Sequence, residues 1–180
     1  MLVATLLLLA CGPDPDAPPP QPEGDFRVIA VQTSDATIDG SDVITGAYAG
    51  CRWGQQTFGF TAESVSIEVS VLCPTTAENA MGCQARVEAE ASWDGARGVF
   101  TVPRRTAARA RFRGLEEGKQ PTEMAACKAV IESGEYAIAR IYNGQWKWEV
   151  RTPDGAVHRM VDADRRPDFV NAMLAMREAK

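Results

Sequence analysis

The chain has 180 residues, 45% of them hydrophobic, and a formal net charge of −5 at neutral pH. These values are ordinary for a folded globular chain and are not those of a disordered one. The acidic balance also argues against general nucleic-acid binding, because phosphates attract basic surfaces.

The N-terminal segment predicts export. Its first ten residues, MLVATLLLLA, contain no charged side chain. At about 1.5 Å rise per residue they are too short to cross a bilayer as a helix, but they have the length of the apolar part of a secretory signal. The motif Leu8-Leu9-Ala10-Cys11 resembles the lipobox of bacterial lipoproteins. The resemblance implies a signal peptide over 1–10, cleavage before Cys11 and a lipid anchor on that cysteine.

Residues 11–24 are expected to form a tether. The stretch from Gly12 to Gly24 contains six prolines and no aliphatic residue larger than alanine, which favours extended polyproline II. In lipoproteins of the type that the lipobox resembles, Asp directly after the cysteine favours inner-membrane retention in some lineages. Gly12 stands there instead, which favours the outer membrane. Residues 25–180 are then expected to form a single β-rich domain.

Four further cysteines, Cys51, Cys73, Cys83 and Cys127, predict two disulfides in an exported domain, with three connectivities open. A zinc site is the alternative. It is disfavoured because the chain has no Cys-x-x-Cys pair and only one histidine, His158.

The clearest strands are 64–73 and 83–93, in which apolar and polar residues alternate. Cys73 and Cys83 share the apolar parity of their strands and end them at the same loop, 74–82. An antiparallel pair would place the two cysteines opposite each other, which favours a Cys73–Cys83 disulfide and leaves Cys51 to pair with Cys127.

The other elements follow from local patterns. Residues 26–33 and 43–61 look extended, with Phe58 and Phe60 on one face, and strands are expected over 97–103, 106–113 and 156–161. Thr152-Pro153-Asp154-Gly155 predicts a type I turn with Gly155 left-handed. Helices are expected over 122–130, weakly, and from Pro167 to the C-terminus.

Asn143-Gly144 is the strongest hairpin signal, typical of a two-residue type I′ turn. That turn would pair Ile141 with Trp146, Ala139 with Trp148 and Ala137 with Val150. Large indoles would then face small alanines on the buried side.

The fold class expected from these elements is mainly β, an antiparallel meander that closes as a barrel with a C-terminal helix. A β-sandwich is the alternative. The order over 42–180 resembles small lipocalin-like (calycin-type) barrels, in which an opening Gly-x-Trp strand begins the meander; here that strand reads Gly46-Ala47-Tyr48. The resemblance implies a C-terminal helix packed outside the barrel.

An arginine-rich segment is the first candidate site. It consists of Arg104, Arg105, Arg109, Arg111 and Arg113. The alternating Arg109, Arg111 and Arg113 could bind phosphate or carboxylate groups. The favoured interpretation is a solvated strand face paired with glutamates such as Glu88 and Glu90.

His158 and Met160 invite a haem or copper hypothesis, but alternate residues of one strand lie about 7 Å apart, too far for one small ion. A structural histidine is favoured. With a bulge at Gly155, His158 is expected on the side of Trp148 and Val150; with a two-residue turn it would point outward. We find no nucleophile motif, so neither a catalytic residue nor a cofactor is assigned and the chain is expected not to be an enzyme.

Two functions remain open. The first is an envelope lipoprotein that binds a small apolar or amphipathic ligand inside the barrel, next to Trp93, Trp146 and Trp148. The alternative is a structural or protein-interaction module of the cell envelope with a packed core and no ligand. Both place the domain on a membrane through its lipid, facing the periplasm or the cell surface, and neither involves nucleic acid.

Overall fold

The computed structural model describes residues 19–45, 53–74, 80–109, 111–113, 128–141 and 148–163. Antiparallel strands make up most of this part of the chain. They are β1 (Gly24–Gln32), β2 (Thr37–Asp39), β3 (Trp53–Phe60), β4 (Ser64–Pro74), β5 (Ala80–Glu90), β6 (Ser92–Asp94), β7 (Val99–Val102), β8 (Thr106–Arg109), β9 (Arg111–Arg113), β10 (Lys128–Ile131), β11 (Gly134–Arg140), β12 (Trp148–Arg151) and β13 (Val157–Asp162). One short helix, α1 (Gly40–Thr45), follows β2.

The main sheet has eleven strands in the order β6-β7-β11-β12-β13-β1-β3-β4-β5-β9, with β2 beside β1, and β8 pairs with β10. It curls through 250° as a half-barrel. Only Ala91 separates β5 from β6; β5 pairs with β4 and β9, and β6 pairs with β7. Strand β13 in turn pairs with β1. The expected antiparallel, barrel-like fold is therefore confirmed.

Alternation in β4 and β5 follows the expected parity. Val65, Ile67 and Val71 of β4 are buried, as are Ala85 and Val87 of β5. Burial of alternate apolar residues fixes a strand's face, because a slip by one residue would expose the whole set.

The expected opposition of Cys73 and Cys83 is wrong. Cys73 pairs with Met81 and Cys83 pairs with Val71, so the cysteines are offset by two positions on one face. The ladder continues to Pro74 and Ala80, which shortens the connection and moves the register. Cys83 is fully buried, whereas Cys51, Cys127 and the Cys73 side chain lie outside the described part, so the disulfide pairing stays a prediction.

The register expected for the hairpin after β11 is also wrong. Val150 pairs with Ile138 rather than Ala137, and Trp148 pairs with Arg140 rather than Ala139. This one-residue shift buries Tyr136 and Ile138 and exposes Ala137 and Ala139. The larger side chains remove more apolar surface from water, which favours the observed register. The turn itself lies outside the described residues, as do Asn143-Gly144 and Trp146, the expected partner of Ile141.

The turn between β12 and β13 has the expected form. Gly155 has a φ of 87°, its N–H donates to the Thr152 carbonyl, and Val150 pairs with His158. His158 therefore lies on the side of Trp148 and Val150, as expected for a bulge at Gly155.

Two segments form a different kind of secondary structure from the one expected. Part of the extended region expected over 43–61 belongs to α1, which Asp39 caps by accepting hydrogen bonds from the N–H and Oγ of Ser41 at 2.8 and 2.7 Å. Within the helix expected over 122–130, residues 128–130 belong to β10, where Ala129 and Ile131 are fully buried by tertiary packing. The helix expected from Pro167 lies outside the described residues.

The chain before β1 packs against the domain. Pro22 is buried, and Gln21 Nε2 donates to the Thr61 carbonyl at 3.1 Å. Pro19 lies so close to Gly98 that a β-carbon there would be 2.7 Å from the proline Cγ. Residues 19–23 thus bind the end of the barrel formed by the turns at 61–63 and 95–98, which we call the tether end.

Candidate functional site

The interior of the curled sheet contains an aromatic cluster. Phe60 is central to it: its ring centroid lies 5.9 Å from that of Phe26 and 5.3 Å from that of Phe100. Trp148 packs edge-on to Phe26 at 6.0 Å, and Trp93 packs against Phe100 at 4.7 Å. Two of the three tryptophans expected to line a ligand space therefore pack against core phenylalanines, and Trp146 lies outside the described part.

Two buried nitrogen atoms in this interior have no hydrogen-bond partner within the described ranges: Trp148 Nε1 and His158 Nδ1. Burial lowers the pKa of His158 to about 4, with the nearby Asp154 carboxylate opposing that shift. The imidazole is therefore neutral at pH 7. Among the described residues no three His, Cys, Asp or Glu side chains are grouped so that they could hold a metal ion.

A polar groove lies on the opposite, outer face of β1, β3, β4 and β5. Because side chains alternate along a strand, Ser66, Glu68 and Ser70 point away from the buried Val65 and Ile67. The groove has a volume of about 570 Å³. The long side chains that line it are Asp25, Gln55, Thr57, Glu68, Gln84 and Arg86.

Glu68 is at the centre of a hydrogen-bond network across two strands, β4 and β5. Gln84 Nε2 donates to its Oε1 at 2.6 Å and Ser70 Oγ donates to the same oxygen at 3.5 Å. Arg86 Nη1 lies 3.8 Å from its other oxygen. The Glu68 Oε1 atom is thus satisfied by its protein neighbours, whereas Oε2 has only this longer ion-pair contact.

Gln55 is less well satisfied. Its Nε2 donates to Thr57 Oγ1 at 3.4 Å, but its Oε1 is buried and no donor in the described segments reaches it. A buried amide oxygen without a partner is uncommon in folded proteins. Because less than 1 Å² of this oxygen is exposed, a bound molecule would satisfy it once the Gln55 side chain turns toward the groove.

Gly59 forms the floor of the groove. A β-carbon at this position would lie 2.6 Å from Asp25 Oδ1 and would overlap Ser66 Oγ. The missing side chain thus lets a carboxylate and a hydroxyl come together over bare backbone. Ser66 and Ser70 are only 7% and 6% exposed, although they lie on the polar side of the alternating strand.

The arginine candidates do not form one described cluster. Arg104 and Arg105 are exposed, and Arg105 Nε lies 3.0 Å from the Glu132 carboxylate. The side chains of Arg109, Arg111 and Arg113 lie outside the described part, although β9 pairs with β5 so that Arg111 is opposite Gln84. Glu88, one of the glutamates expected to pair with them, accepts a hydrogen bond from Ser64 Oγ at 2.7 Å. Anion binding by these arginines stays a prediction.

The lipidation candidate Cys11 lies outside the described residues. None of the helices that are described is long and apolar enough to cross a membrane. No family model matches the chain, and no curated protein or solved structure matches it either.

Proposed function

We propose that this chain is a non-enzymatic lipoprotein of the bacterial cell envelope, anchored through Cys11 and placed on the outer membrane. Its β domain serves as an interaction module whose interior is packed. The observation that carries this proposal is the filled aromatic interior of a domain that follows a motif resembling a lipobox and a proline-rich segment.

The packing of residues 19–23 against the domain shortens the chain that can separate the domain from an anchor at Cys11. Only 12–18 remain between Cys11 and the segment bound at the tether end. Seven residues of polyproline II span about 22 Å at about 3.1 Å each. An anchor at Cys11 would therefore hold the tether end toward the bilayer, with the turn at 152–155 on the far side.

The packed interior favours an interaction module over an apolar-ligand carrier. Phe58, Phe60, Phe100 and Tyr136 are each at most 1% exposed and occupy the space in which a lipocalin-like ligand would sit. Small barrels are commonly filled in this way by their own side chains.

An amphipathic ligand is the second candidate, because Trp148 Nε1 and His158 Nδ1 are buried without partners. A polar head group could satisfy both nitrogens. Titration with fatty acids, followed by tryptophan fluorescence, tests this candidate. A saturable shift that is lost in Trp148→Phe would support it over a packed interior.

The anchor is tested by expressing the full chain in a bacterium and measuring the mass of its N-terminal peptide. We expect a peptide that begins at Cys11 with diacylglyceryl and acyl groups, and membrane association that Cys11→Ser abolishes. An unmodified, uncleaved N-terminus in both proteins would refute the lipoprotein assignment.

A further inference from the structure

We propose that the polar groove binds a small polyhydroxylated ligand of the saccharide class. This inference deepens the interaction role proposed above by naming the ligand chemistry. It concerns the outer face of β1, β3, β4 and β5, and it does not depend on the barrel interior.

The first argument is the shape of the groove. An ordinary solvated strand face leaves its polar side chains open to water, yet Ser66 and Ser70 are more than nine-tenths buried while lining a space of about 570 Å³. That volume lies within the range of about 300–1,000 Å³ that is typical of small-molecule sites. It can accommodate a mono- or disaccharide.

The second argument is the balance of donors and acceptors. Glu68 Oε1 already accepts hydrogen bonds from Gln84 and Ser70. The acceptors that remain are Glu68 Oε2, whose contact with Arg86 is 3.8 Å long, the Asp25 carboxylate above Gly59, and Gln55 Oε1 once its side chain turns toward the groove. A ligand must therefore bring several donors to this part of the groove.

The third argument excludes other chemistries. Among the described residues that line the groove, two carboxylates, Asp25 and Glu68, stand against the one guanidinium of Arg86, a balance that disfavours an anion such as a phosphate. The lining side chains are mostly polar, and burying them against a wholly apolar ligand would cost their hydrogen bonds to water. Thr57, Ser66 and Ser70 add hydroxyls that both donate and accept, which matches the hydroxyls of a sugar.

The experiment uses the full chain with Cys11→Ser, purified in solution, so that lipidation does not affect it. Calorimetric titrations measure the binding of two groups of ligands. The neutral saccharides are glucose, N-acetylglucosamine and a disaccharide of each, and the anions are glucuronate, inorganic phosphate and decanoate. We expect at least one neutral saccharide to bind with a Kd between micromolar and millimolar, and the anions to bind at least tenfold more weakly. Co-sedimentation with insoluble cell-wall glycan then separates an envelope polymer from a free sugar as the source.

Two groove variants and one matched control locate the binding. Gln55→Leu and Asp25→Asn should each weaken saccharide binding at least tenfold. Glu135→Gln, on the opposite wall and paired with Arg97, should leave it unchanged. Circular dichroism identifies any variant that fails to fold, and the other groove variant then decides.

Absence of binding by every neutral saccharide would overturn the proposal, as would preferential binding of glucuronate or phosphate, or equal binding by the groove variants. Such a result leaves the anchor at Cys11 untouched, because the mass of the N-terminal peptide tests that separately.

Discussion

The imidazole of His158 packs edge-on against the ring of Phe58 inside the barrel, with centroids 5.1 Å apart and planes inclined by 66°. His158 is 9% exposed and Phe58 is fully buried. A protonated imidazole here would lose most of its hydration, and among the described residues the Asp154 carboxylate is the charge that opposes this loss. The contact therefore favours the neutral ring.

The first prediction is a loss of stability in mild acid. The folded pKa of His158 is about 4, below its ordinary value of 6.5, so the unfolded chain binds a proton in this window that the folded chain does not. Stability is fully present above pH 6.5 and falls as the pH drops toward 4, by up to about 3 kcal/mol. Urea unfolding at a series of pH values measures this change.

His158→Leu is the matched variant for this prediction. It should flatten the pH dependence between pH 6.5 and 4, while the acid response below pH 4 remains, because the lowered pKa values of Asp39 and Asp154 contribute there. Identical curves for the two proteins between pH 6.5 and 4 would contradict the assignment.

The second prediction concerns the segment before β1. A chain that begins at Pro19 should keep full stability, whereas one that begins at Gly24 should lose about 1–2 kcal/mol. The loss comes from the buried Pro22 and from the hydrogen bond of Gln21 to Thr61. Thermal unfolding of the two truncated chains measures it, and equal midpoints would show that residues 19–23 contribute nothing.

The sequence predicted strands best where a face is buried without interruption. In β4 and β5, period-two alternation gave the correct faces because Val65, Ile67 and Val87 must all point inward together. In β1, period-two alternation alone does not predict which residues are buried. The register shifts between Val28 and Ala30, so that Phe26, Val28 and Val31 are all buried despite their odd spacing.

The polar groove could not be predicted from the residues that form it. Ser66, Glu68 and Ser70 are what a solvent-facing strand side ordinarily contains, and nothing local indicates that the serines become buried. Only the side-by-side placement of β1, β3, β4 and β5 brings Asp25 over Gly59. Such a site depends on strand order, which local patterns do not specify.

The third prediction tests the contact of α1 with β1. Gly40 begins α1, and a β-carbon there would lie 2.6 Å from the backbone oxygen of Val28. Because backbone cannot move aside as a flexible side chain can, Gly40→Ala should destabilise the fold by about 1–3 kcal/mol. Asp42→Ala, on an exposed position of the same helix, is the control and should change stability by less than about 0.5 kcal/mol. If the two variants unfold alike, the close approach is not present in solution.

The fourth prediction decides between the two registers of β11. In the observed register Ile138 is buried and Ala139 is exposed. Ile138→Ala should therefore cost about 2–4 kcal/mol, whereas Ala139→Ser should change stability by less than about 0.5 kcal/mol. With a two-residue turn at Asn143-Gly144, Ala139→Ser would be the more destabilising of the two substitutions, because Ala139 would then face the core and the new hydroxyl would be buried without a partner.

Tyr136→Phe gives an independent check of the register. Tyr136 is fully buried, and its hydroxyl donates to the Glu132 carbonyl at 3.0 Å. Its loss should cost about 1 kcal/mol, a cost that an outward-facing tyrosine would not show.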